Sequence, residues 1–155
     1  MLAAGFAITV VLALIVSGPS TGPVVPGELE GWPVVTVRIG AAELTVVEAV
    51  DTSRGLVGVD DLGPLDGMLF AYPGSQDPAQ RRFHMTGVSF PLDALFFDAD
   101  GRLIETVTMS VCASDPCPRY APDAPYRWVV EVPAGTLDAV PGDQLELLPS
   151  SSPGG

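Results

Sequence analysis

The sequence predicts a mainly β, compact single domain, either a β-sandwich of jelly-roll kind or a barrel-like sheet, with one or two short helices. Three observations predict it. Short apolar runs alternate with polar residues at period two, which sends successive side chains to opposite faces of a strand. Gly (17) and Pro (16) together make up about a fifth of the 155 residues, so turns are frequent and elements short. The turn signals recur between the runs at the spacing of a sandwich or barrel.

The first element is a different chemical object. "MLAAGFAITVVLALIV" carries no charged side chain, and the first in the chain is Glu28. As a helix rising 1.5 Å per residue these residues span roughly 24 Å, short of the roughly 30 Å hydrocarbon core. Residues 1–18 therefore read as a secretory signal peptide or, if uncleaved, an N-terminal membrane anchor. Residues 19–33 read as a Pro/Gly-rich linker, 34–148 as the β domain and 149–155, "PSSSPGG", as a disordered tail.

Within the domain, "VVTVRIG" sets Val35, Val37 and Ile39 against Thr36 and Arg38. Gly40-Ala41 turns that strand into "ELTVVEAV", a first hairpin. In "DTSRGLVG", Asp51, Thr52 or Ser53 is an N-cap for one helical turn ending before Gly58. "GMLFAYP", "RRFHMTG", "LDALFFD" and "RLIETVTM" follow as strands, the last two joined by a "DADG" turn. "DADG" is not a calcium loop, because its Gly is fourth and its twelfth position is Met109. "YRWVVEV" sets Tyr126, Trp128, Val130 and Val132 against Arg127 and Glu131. "AGTLDAV" reads as a short helix, and "DQLELL" as the closing strand.

Composition excludes whole function classes. The net charge is −12, with seven Arg and no Lys. Nucleic-acid binding needs clustered cations, and an anionic membrane surface would repel the domain; membrane contact is expected only through residues 1–18 if they are retained. Two cysteines, Cys112 and Cys117 in "CASDPC", close a small disulfide if the chain is exported to an oxidising compartment. Their spacing is not CxxC, so no thioredoxin-like role follows. Two Cys and one His do not make four zinc ligands, and no metal or other cofactor is expected.

The candidate ligand face consists of Arg54, His84 and Asp93. In "RRFHMTG" the alternation sends Phe83 and Met85 inward and leaves Arg82, His84 and Thr86 outward. Asp93 shares a stripe with Leu95 and Phe97, so its carboxylate needs a partner, for which Arg54 is proposed. A backbone-binding structural carboxylate is the competing reading of Asp93. No GxSxG or catalytic triad is present. Acid/base catalysis by His84 or Asp93 is an alternative, as is a soft-metal (copper) site drawing on His84, Met68, Met85 and Met109.

"RGLVGVDDLGPLDGMLFAYP", "FHMTGVSFPLDALFFDADGRLIE", "CASDPCPRY" and "YRWVVEVPAGTLDAVPGDQLEL" resemble, in order and spacing, the DUF192 family. The resemblance spans roughly residues 34–148. It implies a compact, mostly β domain of jelly-roll type, often behind a signal peptide, without an established activity. His84 stands where family members carry Trp, and "TGV" replaces a polar run. The resulting expectation is a noncatalytic exported module that binds a small molecule or an envelope component.

Overall fold

The computed structural model describes residues 24–149. The signal-peptide or anchor reading of 1–18 and nearly all of the tail lie outside the described residues. Seven strands form one curled sheet in the order β5-β4-β6-β3-β2-β1-β7. They are β1 (Val34–Ile39), β2 (Ala42–Glu48), β3 (Gly67–Gln76), β4 (Leu92–Phe97), β5 (Leu103–Met109), β6 (Tyr126–Pro133) and β7 (Leu145–Leu148). The fold is mainly β, and of the expected architectures it takes the barrel-like one.

The curl brings the two edges together at one end. Leu145 N–H donates to the Gly101 carbonyl and Leu103 N–H to the Asp143 carbonyl, each at 2.8 Å. The concave side is filled by a cluster that includes Val37, Leu69, Leu95, Phe97 and Val130. Curling therefore covers one face of the sheet and blunts the edges that an open sheet would expose.

The other face is covered by the connections. Strands β2 and β3 are parallel, with Val46 opposite Gly67, so residues 49–66 must cross over the sheet. Leu56, Val59, Leu62 and Leu65 of that crossover are buried against Met68, Phe70, Ala94 and Phe96. Met85 and Val88, between β3 and β4, are buried in the same cluster, with Phe83 and Tyr120 packed against it. The ring of Phe83 meets those of Phe70 and Phe96 edge-on at 5.3 and 5.5 Å.

Several local expectations hold. Ile39 faces Ala42 across the first hairpin. At "DADG", the Asp98 carboxylate accepts the N–H groups of Asp100 and Arg102, each at 2.9 Å, which fixes the turn. Cys112 and Cys117 form a disulfide with Cα atoms 5.5 Å apart.

Three element readings are corrected. "RRFHMTG" is not a strand: its only β pairing is an isolated bridge from Phe83 to Tyr120, and the segment crosses over the sheet as a connection packed on its covered face. The burial alternation still holds there, with Met85 buried and Arg82, His84 and Thr86 exposed. "AGTLDAV" forms turns, and its start is fixed by Thr136 donating to the Pro133 carbonyl at 2.7 Å. Residues 51–58 are consecutive turns rather than a helix. Residues 24–33, within the stretch read as linker, contain a 3-10 turn at Gly27–Leu29 whose Leu29 is fully buried. Val25 and Trp32 pack against the same cluster, so the folded domain begins before Val34.

Candidate functional site

Three connections meet over β3 and β6 and enclose a cavity of about 200 Å³. The 51–58 turns supply one wall. The Asp51 carboxylate accepts both the hydroxyl (2.6 Å) and the N–H (2.9 Å) of Ser53. Those bonds hold its pKa below the ordinary aspartate range and set the turn that presents Arg54. Arg54 lies over the Trp32 ring at 5.8 Å.

The 81–88 segment supplies the opposite wall. It is anchored from below by the Tyr126 hydroxyl, which donates to the Arg81 carbonyl at 3.0 Å. From the side, Phe83 and Tyr120 exchange backbone hydrogen bonds at 2.8 and 2.9 Å. The Thr86 hydroxyl reaches Cys117 Sγ at 3.2 Å, so the disulfide loop braces this wall and brings in Arg119.

Four of the seven arginines, Arg54, Arg81, Arg82 and Arg119, line this cavity. Arg81 Nε donates to Gln76 Oε1 at 2.8 Å, and its guanidinium lies over the Tyr72 ring at 4.8 Å. Arg82 Nε donates to the Pro78 carbonyl at 3.2 Å. Among the described residues the only salt bridges are those of Arg38 with Glu43 and Glu146. Four exposed arginines thus stand around one cavity outside any salt bridge among the described residues, with only the Asp51 carboxylate acting on Arg54 at longer range. Arg81, Arg82 and Arg119 also line an adjoining open depression of about 1000 Å³.

The floor is of opposite character. Glu131 on β6 lies opposite Met68 and Ala94, both members of the covered-face cluster, so its side chain points to the cavity side of the sheet. It is 5% exposed and lines the cavity, and no hydrogen bond reaches its carboxyl among the described residues. Burial alone pushes its pKa up to about 8, so at neutral pH it holds its proton. Burial also raises the Tyr72 phenol, with Arg81 opposing the shift and Glu131 adding to it. Tyr72 is thus coupled both to the cationic mouth and to the acid floor.

The structure brings Arg54 and His84 to the same cavity. Asp93 is elsewhere. It lies opposite Val132, on the concave side of the sheet, where its carboxylate accepts the Thr108 hydroxyl at 2.6 Å and the Gly135 N–H at 2.8 Å. Arg54 is therefore not its partner: Arg54 stands across the sheet, and two uncharged donors satisfy the carboxylate. Asp93→Ala is expected to cost about 3 kcal/mol by leaving both donors without an acceptor. A urea midpoint indistinguishable from that of the unaltered chain would reject that structural role.

The soft-metal set is also divided. Met68, Met85 and Met109 are buried in the core, whereas His84 is exposed. Cys112, Asp115 and Cys117 lie close together, but both sulfurs are spent in the disulfide and offer no thiolate.

Sequence reasoning missed Glu131, Arg81 and Arg119. A signal for Glu131 was present in Val129, an apolar residue two positions earlier on the same stripe. Convergence of the arginines depends on three separate connections and left no local pattern.

Comparison with known proteins fits this architecture. The DUF192 profile matches residues 36–147. A Sinorhizobium meliloti protein of known crystal structure, described as a "putative transcription regulator", is 31% identical, with the match covering 75% of this chain and 95% of that one at a TM-score of 0.62. A Novosphingobium aromaticivorans protein of unknown function is 22% identical over 82% of this chain and 94% of its own, with a TM-score of 0.63; at that identity it bears on the fold alone. No curated protein matches the sequence. With its profile matched across nearly the whole β domain, the chain belongs to the DUF192 family, described as "Uncharacterized ACR".

Proposed function

We propose that the chain is an exported, noncatalytic binding module of the cell envelope whose ligand is a small organic anion held under Arg54, Arg81, Arg82 and Arg119. The observation that carries this reading is the cluster of four arginines, none in a salt bridge among the described residues, around a cavity with an apolar inner wall. Export is supported by the uncharged apolar start of the sequence and by a disulfide that persists in an oxidising compartment. Among the described residues no helix is long and apolar enough to cross a membrane.

The chain's overall negative charge does not oppose a small ligand. At 0.15 M salt the Debye length is about 8 Å, so the arginines nearest the ligand dominate the local field. A duplex samples the whole surface, and the net charge of −12 argues against carrying over the relative's regulator description. A cavity of about 200 Å³ is smaller than the roughly 300–1,000 Å³ of drug-sized sites and takes a short chain or a single ring, and any larger anion would extend into the adjoining depression of about 1000 Å³.

The test is a titration of the full chain with two- to six-carbon carboxylates and with inorganic phosphate, at low and high salt. Binding is expected to weaken with salt. In the double variant Arg54→Gln/Arg119→Gln it is expected to fall at least tenfold, the loss of one charge-assisted hydrogen bond being about 1.5–3 kcal/mol. Absence of binding by every anion, or undiminished binding by the double variant, would reject the reading. A second reading, acid/base catalysis, is favoured by one observation: Glu131 keeps its proton at neutral pH while sharing the cavity with His84.

A further inference from the structure

An anion at the mouth leaves the cavity floor unexplained. Glu131 is 5% exposed and lines the cavity; it has neither an ion-pair nor a hydrogen-bond partner among the described residues, and no buried oxygen there is orphaned, so its carboxyl oxygens open into the cavity. Replacing it with an apolar residue would remove a desolvation penalty, so the carboxyl is a burden on the empty protein. Phe70, Tyr72, Phe83 and Met85 line the same cavity. A carboxylate on the floor of a largely apolar cavity is the partner an ammonium group requires, as a charge-assisted ion pair. A hydroxyl-bearing ligand would need only a neutral acceptor there.

We propose that the cavity takes a small zwitterion, an amino acid in the broad sense. Its carboxylate lies outward against the guanidinium groups of Arg54, Arg81, Arg82 and Arg119, and its ammonium lies inward against Glu131. The inference rests on the anion-site reading above and deepens it by assigning the ligand's other end. A water's share of liquid volume is about 30 Å³, so a cavity of about 200 Å³ holds roughly seven water-sized groups, the size of a short amino acid. The remaining titratable or charged groups around the cavity are Tyr72 from β3, Arg54 from the crossover, Arg81, Arg82 and His84 from the opposite wall and Arg119 from the disulfide loop. None of the arginines forms a salt bridge with Glu131. In the empty site Glu131 is protonated at neutral pH. The arriving ammonium stabilises its carboxylate, and the displaced proton goes to solvent.

The experiment is calorimetric titration of the full chain at pH 7 in two buffers of different ionisation enthalpy. The probes are α- and ω-amino acids of two to six carbons, each matched to the alkanoate and the alkylamine of the same length. One amino acid is expected to bind at least tenfold more tightly than its alkanoate and to release close to one proton. In Glu131→Gln the tenfold advantage and the proton release should vanish while alkanoate affinity remains. If amino acids and alkanoates bind alike without proton release, the zwitterion assignment is wrong and the anion site stands. If the alkanoates also fail to bind, the anion site falls with it.

Discussion

Replacing Glu131 with glutamine is expected to stabilise the ligand-free fold at pH 9 by about 4 kcal/mol more than it does at pH 5. The sign follows from proton counting. Burial raises the folded-state pKa from the ordinary 4.5 to about 8, so between those values the native state holds a proton that the unfolded chain has lost. Stability from this group is complete below pH 4.5 and is lost as pH rises through about 8. Glutamine keeps the shape and removes the titration. Other carboxylates also shift stability with pH, so the informative quantity is the difference between the two proteins, read from urea midpoints at both pH values. A gap that stays constant within about 1 kcal/mol would mean that Glu131 is solvated or paired in the folded protein.

Gly67→Ala is expected to prevent folding outright. A Cβ at this position would overlap the Glu131 carbonyl oxygen and lie 3.0 Å from its carbonyl carbon and 3.1 Å from Val132 Cγ1. The obstruction is mainly backbone, which no rotamer change relieves. Gly67 also opens β3, opposite Val46 of β2, and the next residue, Met68, faces Glu131 on β6. Making room for one methyl would pull β3 away from the strand that carries the cavity floor. Losses above about 4 kcal/mol are a large share of the roughly 5–15 kcal/mol that holds a domain together. Far-UV circular dichroism of the variant should lack the native β spectrum. A cooperative melt within a few degrees of the unaltered chain would show that β3 and β6 lie farther apart than described here.

The β character was legible because period-two patterning is written locally. The first hairpin, the "DADG" turn and the closing "LELL" strand each depend on a few neighbouring residues, and each forms as expected. The inward and outward sorting of Phe83, His84 and Met85 was legible for the same reason, although the segment is not a strand. What covers each face was not legible. Glu131 alternates correctly with Val130 and Val132, but the 49–66 crossover and the 81–88 segment cover its side of the sheet, and a polar stripe became a buried floor. Asp93 shows the converse. Its apolar stripe was read correctly, but its partners, Thr108 on β5 and Gly135 beyond β6, were set by register rather than by charge. Local pattern fixes which way a side chain faces, whereas tertiary topology decides what it meets there.

The central claim, that the arginine-lined mouth is an anion site, is tested most directly by bromide. Crystals of the chain soaked in bromide should give their strongest anomalous peak among the guanidinium groups of Arg54, Arg81, Arg82 and Arg119. Bromide bound elsewhere on the surface, with that mouth unoccupied, would contradict it.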